Sequence, residues 1–420
     1  MVSHDAKNVK GSAMSINSLR SEYRKRAKMY FNKYVSQADI DLLSIIKLDK
    51  LLSEKKLINL EEYSNLLEKV GIDVTGRNRA GTYYQVDTAV LEYYSKIPGI
   101  EILSLEDALD EYGREFLEYY WRALRVDKDI YTAIAELYGK GGYVIIVKEG
   151  HKIKQPIQSC LLITSNNILQ APHNIIILEP NSEAHVITGC AIMREVIALH
   201  AGISEFYVGE NAKLSYIMIH GWGENMHVRP RTGVIIEEGG EFVSNYINMT
   251  PVKSLQSYPT VKLIGENAKA HLSSIIVTSK SSNIDLGNEI IFEAPNTAGE
   301  IISRVVAKDN AVGVARGRLI GKAPGIKGHL ECMGLLLSNS AKIITIPELE
   351  ASHSDVELTH EASIGKIAED EILYLMARGF TREEAESFLV RGFMNVEIKG
   401  IPENLKKVIQ ATIDKMAKAL

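Results

Sequence analysis

The chain has 420 residues, of which 45% are hydrophobic and 24% are charged, a composition typical of a globular protein. The formal net charge of −5 is small for this length and excludes a general electrostatic attraction to nucleic acid or to an anionic membrane. No run of about 18 apolar residues occurs, so we expect no membrane span. The N-terminus lacks the apolar core of a signal peptide, which predicts a cytoplasmic location. Three scattered cysteines are too few for a disulfide framework, and none belongs to a CxxC pair.

The first third of the chain, residues 1–142, is predicted to be a mostly helical region. Segments with apolar residues at helical spacing lie near 15–35, 39–56, 60–70 and 105–124. Ser104 and Asp107 form an approximate capping box at the start of the last of these segments.

The next region, residues 143–366, consists of short β-rich runs without a helical pattern. A turn residue recurs in steps of 28 to 30 residues with one half-step of 14. The turn residues are Asn181, Asn211, Gly239, Asn267, Asn296, Asn310 and Asn339. Asn and Gly suit corners that need a left-handed backbone conformation. This spacing predicts a β-helix, or solenoid, whose coils stack on one another. An antiparallel sandwich with evenly spaced turns is the alternative.

The last region, residues 367–420, is predicted to be helical again. One helix is expected at 368–378, and Thr381 with Glu384 forms a capping box for a second. A third helix is expected at about 402–418. These helices would close the end of the solenoid or dock a partner.

The chain lacks several catalytic motifs. It contains no GxxxxGK[ST] loop for nucleotide phosphates, no GxSxG nucleophile and no HExxH zinc motif. The chain therefore has no P-loop of its own.

Cys332 and His360 are the first candidates for chemistry. Cys332 shares strand parity with Leu330, and His360 shares it with Leu358, so both side chains are predicted to point inward. They are 28 residues apart, one repeat step, which would place them on neighbouring coils. A thiolate and an imidazole together suit iron or an iron–sulfur species, and Glu361 would add a carboxylate if it turned towards them. The alternative is an inert core thiol and a hydrogen-bonded core histidine.

Two further places carry candidate residues. Cys190 follows Gly189 at the end of a strand and is a candidate functional thiol. The alternative is that it is a small core residue beside a turn. Histidines cluster with a tryptophan between residues 200 and 227. They could bind a metal ion, and the alternative is that they are packing and surface residues. The members of this second group are His200, His220, Trp222 and His227.

Several long motifs resemble the SufB and SufD subunits of the SUF iron–sulfur cluster assembly machinery. The C-terminal motifs are HLECMGLLLSNSAKIITIPELEA, ELTHEASIGKIAEDEILYLMARGF and EEAESFLVRGF. Further matches upstream include GYVIIVKEGHKIKQPIQ, HVITGC and LHAGISEFYVGENAKLSYIMIHGW. The resemblance covers about 100–395.

The resemblance implies a right-handed parallel β-helix with helical ends that acts as an assembly scaffold and is not itself an enzyme. Members work with SufC, an ABC-type ATPase that hydrolyses ATP and docks on the C-terminal helical region. They take sulfur from a cysteine desulfurase system, assemble a transient iron–sulfur cluster and pass it to apo-proteins. A homodimer or a SufB/SufD-type heterodimer is expected.

The family's functional residues carry over by motif. Cys332 matches the cysteine proposed to hold the nascent cluster, and Cys190 matches the cysteine where sulfur enters. His360 and Glu361 match the His-Glu of the B-subunit motif and complete the expected metal ligands. Thr359 stands where B subunits have Glu. The remaining supporting positions are Trp222 and His200.

The pair Cys190 and Cys332 favours a B-like scaffold. A D-like structural partner that carries no cluster is the main alternative. A β-helix enzyme acting on polysaccharide is a third, although it would need paired carboxylates in a groove.

Overall fold

The computed structural model describes residues 16–37, 43–44, 46, 59–193, 195–248, 250–395 and 406–407. It is mainly β, with 46% strand and 20% helix, and forms a parallel β-solenoid of about 8 turns. Most of the predicted helix at 402–418 and most of the one at 39–56 lie outside the described residues. Within the described segments, the helices are all too short or too polar to cross a membrane.

Helices flank the solenoid at both ends of the chain. The described α-helices are α1 (Ile16–Tyr34), α2 (Ser64–Glu68), α3 (Leu105–Tyr112), α4 (Ile130–Tyr138), α5 (Glu369–Met376) and α6 (Arg382–Met394). Ser104 caps α3 by accepting a hydrogen bond from the Asp107 backbone N–H, and the predicted capping box of Thr381 and Glu384 is present at α6.

Strands make up the body of the molecule. In chain order they are β1 (Gly81–Val86), β2 (Ala89–Ser95), β3 (Ile100–Ser104), β4 (Tyr143–Val147), β5 (Ile157–Ile163), β6 (Ile168–Gln170), β7 (His173–Leu178), β8 (Glu183–Ile192), β9 (Ala198–His200), β10 (Ile203–Val208), β11 (Lys213–Gly221), β12 (Met226–Val228), β13 (Arg231–Ile236), β14 (Glu241–Asn248), β15 (Ser254–Ser257), β16 (Thr260–Leu263), β17 (Lys269–Thr278), β18 (Asn283–Phe292), β19 (Ala298–Ala307), β20 (Val312–Gly321), β21 (Ile326–Leu336), β22 (Lys342–Ala351) and β23 (Val356–Lys366).

Two sheets face each other across the solenoid interior. Sheet 1 has the order β2-β1-β5-β8-β11-β14-β17-β19-β21-β23. Sheet 2 runs from β3 and β4 through β7, β10, β13 and β16 to β18, and β20 and β22 continue it. The pairs β1–β2 and β3–β4 are antiparallel, whereas the stacked coils pair in parallel. The predicted solenoid is therefore confirmed.

The corners explain the repeat in the sequence. Asn181, Asn211, Gly239, Asn267 and Asn296 all have positive φ and all stand just before a strand of sheet 1. The residue with positive φ at the next predicted corner is Asp309, not Asn310. Asp309 stands before a strand of sheet 2, as does Lys280, which also has positive φ. The half-step of 14 residues therefore marks the change from the corners before strands of sheet 1 to the corners before strands of sheet 2.

The expectation of a mostly helical first third missed β1, β2 and β3. Strand β1 pairs in parallel with β5, so it extends sheet 1. The helix predicted at 105–124 ends at Tyr112, because Gly113 has a φ of 58°. Beyond it, the backbone N–H groups of Trp121, Ala123 and Leu124 donate to the buried Glu205 carboxylate. That partner is distant in sequence, which is why local periodicity gave no sign of it.

The two ends of the solenoid differ in burial. Leu67, Val70 and Ile72 cover the outer face of sheet 1 over the early coils, and Val390 and Met394 of α6 pack against the same apolar cluster. The last two strands, β22 and β23, contain no buried residue. The final coil therefore presents an uncovered surface.

Candidate functional site

Cys332 lies in β21 and is fully buried. In the sheet it stands between Ser303 of β19 and Ala362 of β23. Burial raises the pKa of Cys332 to about 11, and a hydrogen bond with Ser303 opposes part of that shift. The isolated chain therefore keeps this thiol protonated at neutral pH.

His360 lies on the next strand but not directly opposite Cys332. The step between β21 and β23 is 30 residues, so His360 pairs with Leu330 and is one alternate position away from Cys332 on the same face. Its side chain is exposed rather than buried, because β23 is the last strand and no described coil covers it. His360 therefore lies on the predicted face of the strand, but its side chain is not enclosed as expected.

Glu361 and Thr359 lie on the other face of β23. Glu361 pairs with Glu331, and the hydroxyl of Thr359 lies 2.9 Å from Nδ1 of His329. In the described part of the chain, no three His, Cys, Asp or Glu side chains are arranged to hold a metal ion. The structure thus brings Cys332 and His360 to one face and leaves Glu361 away from them.

Cys190 lies in β8, also fully buried on the inner face of sheet 1. Its partner in β11 is His220. Burial holds the pKa of the Cys190 thiol well above its usual range. Gly189 faces outward, where an added Cβ would lie 2.7 Å from the Val70 carbonyl oxygen, so this position needs glycine.

The predicted cluster of histidines and tryptophan forms inside the solenoid rather than on its surface. The ring of Trp222 lies 5.2 Å from that of His200 and 4.8 Å from that of His220, centroid to centroid. Burial lowers the pKa of His200 to about 3 and that of His220 well below its usual value, so both imidazoles are neutral. His227 lies elsewhere, with its Nδ1 2.8 Å from the Ser254 hydroxyl.

A row of polar side chains leads from this cluster towards Cys332. Tyr246, Ser274, Ser303 and Cys332 are successive partners along sheet 1. The phenol of Tyr246 lies 2.7 Å from Nδ1 of His220. A cavity of about 40 Å³ is lined by Tyr246, Ser274 and Asn288, among others.

The sequence contained a signal for this row. Residues 246, 274, 303 and 332 follow one another in steps of 28, 29 and 29, the period of the coils. Polar residues recurring at the solenoid period, in the parity of an inward cysteine, predict an interior polar row. The sequence prediction related only Cys332 and His360 by the coil period.

The raised pKa of Cys332 predicts slow alkylation at neutral pH. Labelling by iodoacetamide should rise about tenfold for each pH unit up to about pH 11. Because the unfolded thiol ionises first, near its ordinary pKa of 9.0, the free energy of unfolding should fall between about pH 9 and 11. Mass spectrometry of the Cys332 peptide measures the labelling. Labelling at pH 7 as fast as that of a free thiol would contradict this assignment.

The fold and its interior define a parallel β-solenoid with two buried thiols on one inner face. Residues 161–393, more than half of the chain, match the family described as "SUF system FeS cluster assembly, SufBD core domain". The chain belongs to the SufBD family of iron–sulfur cluster assembly proteins. The resemblance of its motifs is therefore confirmed.

Similar proteins occur in archaea and bacteria. An iron–sulfur cluster assembly SufBD family protein of Methanothermobacter thermautotrophicus is 41% identical over 96% of this chain and 100% of its own length. The Archaeoglobus fulgidus protein of the same name is 45% identical over 83% of this chain and 93% of its own. One from Staphylococcus aureus is 30% identical over 81% and 75%.

Proposed function

We propose that this chain is a B-like scaffold that assembles an iron–sulfur cluster at Cys332 and His360 and passes it to apo-proteins. The observation that carries the proposal is the interior row of Tyr246, Ser274 and Ser303, which ends at the buried Cys332, one strand before the exposed final strand of sheet 1. The chain itself hydrolyses no ATP in this scheme. A SufC-type ABC ATPase does so, and the complex works in the cytoplasm.

In this scheme sulfur enters at Cys190 from a cysteine desulfurase system and moves through the interior to Cys332. The hydroxyl groups along the row and the cavity beside Tyr246 support such a path, because a polar interior solvates a sulfur anion better than packed methyl groups do. The electrons that convert persulfide sulfur to sulfide come from a donor outside this chain.

The cluster site is completed by a second chain. Cys332 and His360 are two ligands, whereas an iron–sulfur cluster takes more. Strand β23 is exposed along its length and ends sheet 1, and an exposed edge is a ready surface for pairing with another chain. We therefore propose a homodimer or a SufB/SufD-type heterodimer through the final coil, with Glu361 and Thr359 close to the contact.

The C-terminal region, residues 367–420, serves as the docking site for the ATPase. Apolar side chains on its two described helices are about half exposed: Leu373 is 51% exposed, Tyr374 56% and Phe388 49%. Such a patch on a terminal helical pair suits a protein partner.

One observation favours the second candidate, a D-like subunit that carries no cluster. Cys332 is fully buried and its pKa is raised, as for a plain core thiol. In a D-like role, Cys332 would only fill the interior and the sulfur would be carried by a separate B-type chain.

Anaerobic co-purification with the SufC-type ATPase distinguishes the B-like role from the D-like role. If the chain is B-like, then after exposure to ferrous iron, a persulfide donor and a chemical reductant that converts persulfide sulfur to sulfide, it should show visible absorption and bound iron and sulfide without any other SufBD chain. A complex that holds the ATPase but binds iron and sulfide only when a second SufBD protein is added would identify the D-like role.

A further inference from the structure

The cluster of His220 and Trp222 contains two N–H groups without a visible acceptor. The phenol of Tyr246 lies 2.7 Å from Nδ1 of His220 and, within the described residues, has no other acceptor for its hydrogen, so we assign the phenol as the donor. Burial raises the pKa of Tyr246 well above its usual value and keeps the phenol protonated. His220 therefore carries its own proton on Nε2. Within the described residues, Nε2 of His220 and Nε1 of Trp222 are buried and have no hydrogen-bond partner. Two buried donors in adjoining rings are unfavourable unless something accepts from them.

The residue that carries the first of these donors, His220, is a neighbour of Cys190 in the sheet. Cys190 and His220 are direct partners on neighbouring strands and share the inner face, and Trp222 follows directly after β11. Cys190 and His220 are 0% exposed and Trp222 is 4% exposed. Asn248, the partner of His220 on the next strand, is also fully buried. The site is therefore enclosed, and its polar groups are neutral.

We propose that the Nε2–H of His220 and the Nε1–H of Trp222 form a two-donor site for a sulfur monoanion, either hydrosulfide or the terminal sulfur of a persulfide on Cys190. Neutral donors in an enclosed site suit a single diffuse negative charge, because they stabilise it without a full countercharge. The identity of the natural anion rests on the proposed entry of sulfur at Cys190. The binding of a monoanion does not.

The covalent step balances without an oxidant. The sulfur of Cys190 attacks the terminal sulfur of a donor protein's persulfide, R–S–SH, and the S–S bond of the donor breaks as the new one forms. The donor leaves as R–SH with the proton of the Cys190 thiol, and the terminal proton of the product is released to solvent. The product is Cys190–S–S⁻, and no electrons are gained or lost overall. The two N–H groups then hold the terminal sulfur as an anion.

Binding of hydrosulfide to a Cys190→Ala chain tests the site without covalent chemistry. Under anaerobic conditions, sodium hydrosulfide should change the tryptophan emission in a saturable way. The change should disappear in Trp222→Phe, because the other tryptophan, Trp121, lies in the apolar cluster beneath the N-terminal helices. His220→Phe should weaken binding about tenfold, whereas His220→Gln, which keeps an N–H donor, should bind within about threefold of the parent.

His185→Phe is the matched control, because His185 is a buried histidine on the opposite face of the same strand as Cys190. It should leave hydrosulfide binding unchanged. A hydrosulfide titration without saturation, or equal affinity in the His220→Phe and parent chains, would overturn the proposal. Water would then be the acceptor for the N–H groups of His220 and Trp222. If His220→Phe does not fold, Trp222→Phe followed by calorimetry decides the same question.

A second measurement separates this inference from the proposed function. A parent chain treated with polysulfide should hold one extra sulfur on the Cys190 peptide, and His220→Phe should lose it to a mild reductant about tenfold faster. Hydrosulfide binding without persulfidation of Cys190 would refute sulfur entry at Cys190 and leave the anion site standing. Persulfidation with equal lifetimes in both chains would refute the anion site and leave sulfur entry standing.

Discussion

A Cys332→Ala variant should lose essentially all of the iron and sulfide that the parent chain binds under anaerobic reconstitution. Cluster irons need thiolate or imidazole ligands, and Cys332 is the only cysteine of the chain on the late coils. The other two cysteines lie in β5 and β8. The substitution removes one buried sulfur atom, so we expect a loss of only about 1–2 kcal/mol in the free energy of unfolding. Visible absorption with iron and sulfide counts measures the result.

Cys160→Ala is the matched control, because it removes an equally buried thiol. It should bind cluster like the parent. Cys190→Ala should also bind cluster when inorganic sulfide is supplied, but not when the sulfur comes from a persulfide donor. If Cys332→Ala retains the cluster, Cys332 is a core residue and the B-like assignment fails.

Much of the solenoid was predictable because its corners obey a local rule. A corner with positive φ favours Asn or Gly wherever it occurs. The spacing of Asn181, Asn211 and Asn267 therefore reveals the length of one coil. The choice between Asp309 and Asn310 was not predictable, because both residue types tolerate the left-handed region. Local chemistry placed the corner within one residue and no closer.

The candidate site was predictable in its parity but not in its register or exposure. Alternation along a strand placed Cys332 and His360 on one face, and the structure agrees. The local step of 30 residues arises in the loop before β22, residues 337–341, which is one residue longer than the loop 308–311 of the preceding coil. A step of 28 therefore placed His360 opposite the wrong residue. The exposure of His360 depends on β23 being the last strand of its sheet, which is a property of the whole fold.

Other features depend on partners far apart in the sequence. Strand β1 is a strand because β5 lies beside it, and the backbone around Trp121 is shaped by the carboxylate of Glu205. The neutral state of His200 and His220 follows from enclosure by several coils. Residue spacing within one segment carries no information about such contacts.

A Leu373→Asp, Phe388→Asp double variant should bind the SufC-type ATPase much more weakly than the parent chain. These side chains are exposed on α5 and α6, whereas Val390 and Met394 hold α6 in the apolar cluster of sheet 1, so the helices should stay folded. Burying two carboxylates in an apolar contact is unfavourable. We expect a loss of at least about 2 kcal/mol in binding free energy, roughly thirtyfold in Kd, measured by calorimetry with the purified ATPase.

Met29→Asp is the control for this variant, because Met29 is also an exposed apolar side chain, 65% exposed, but lies on α1. It should bind the ATPase like the parent. If the double variant binds with unchanged affinity, the ATPase docks elsewhere, and the exposed apolar surface of α5 and α6 meets a different partner. If it loses the ATPase but keeps the cluster formed by chemical reconstitution, then cluster assembly and ATPase docking occupy separate surfaces.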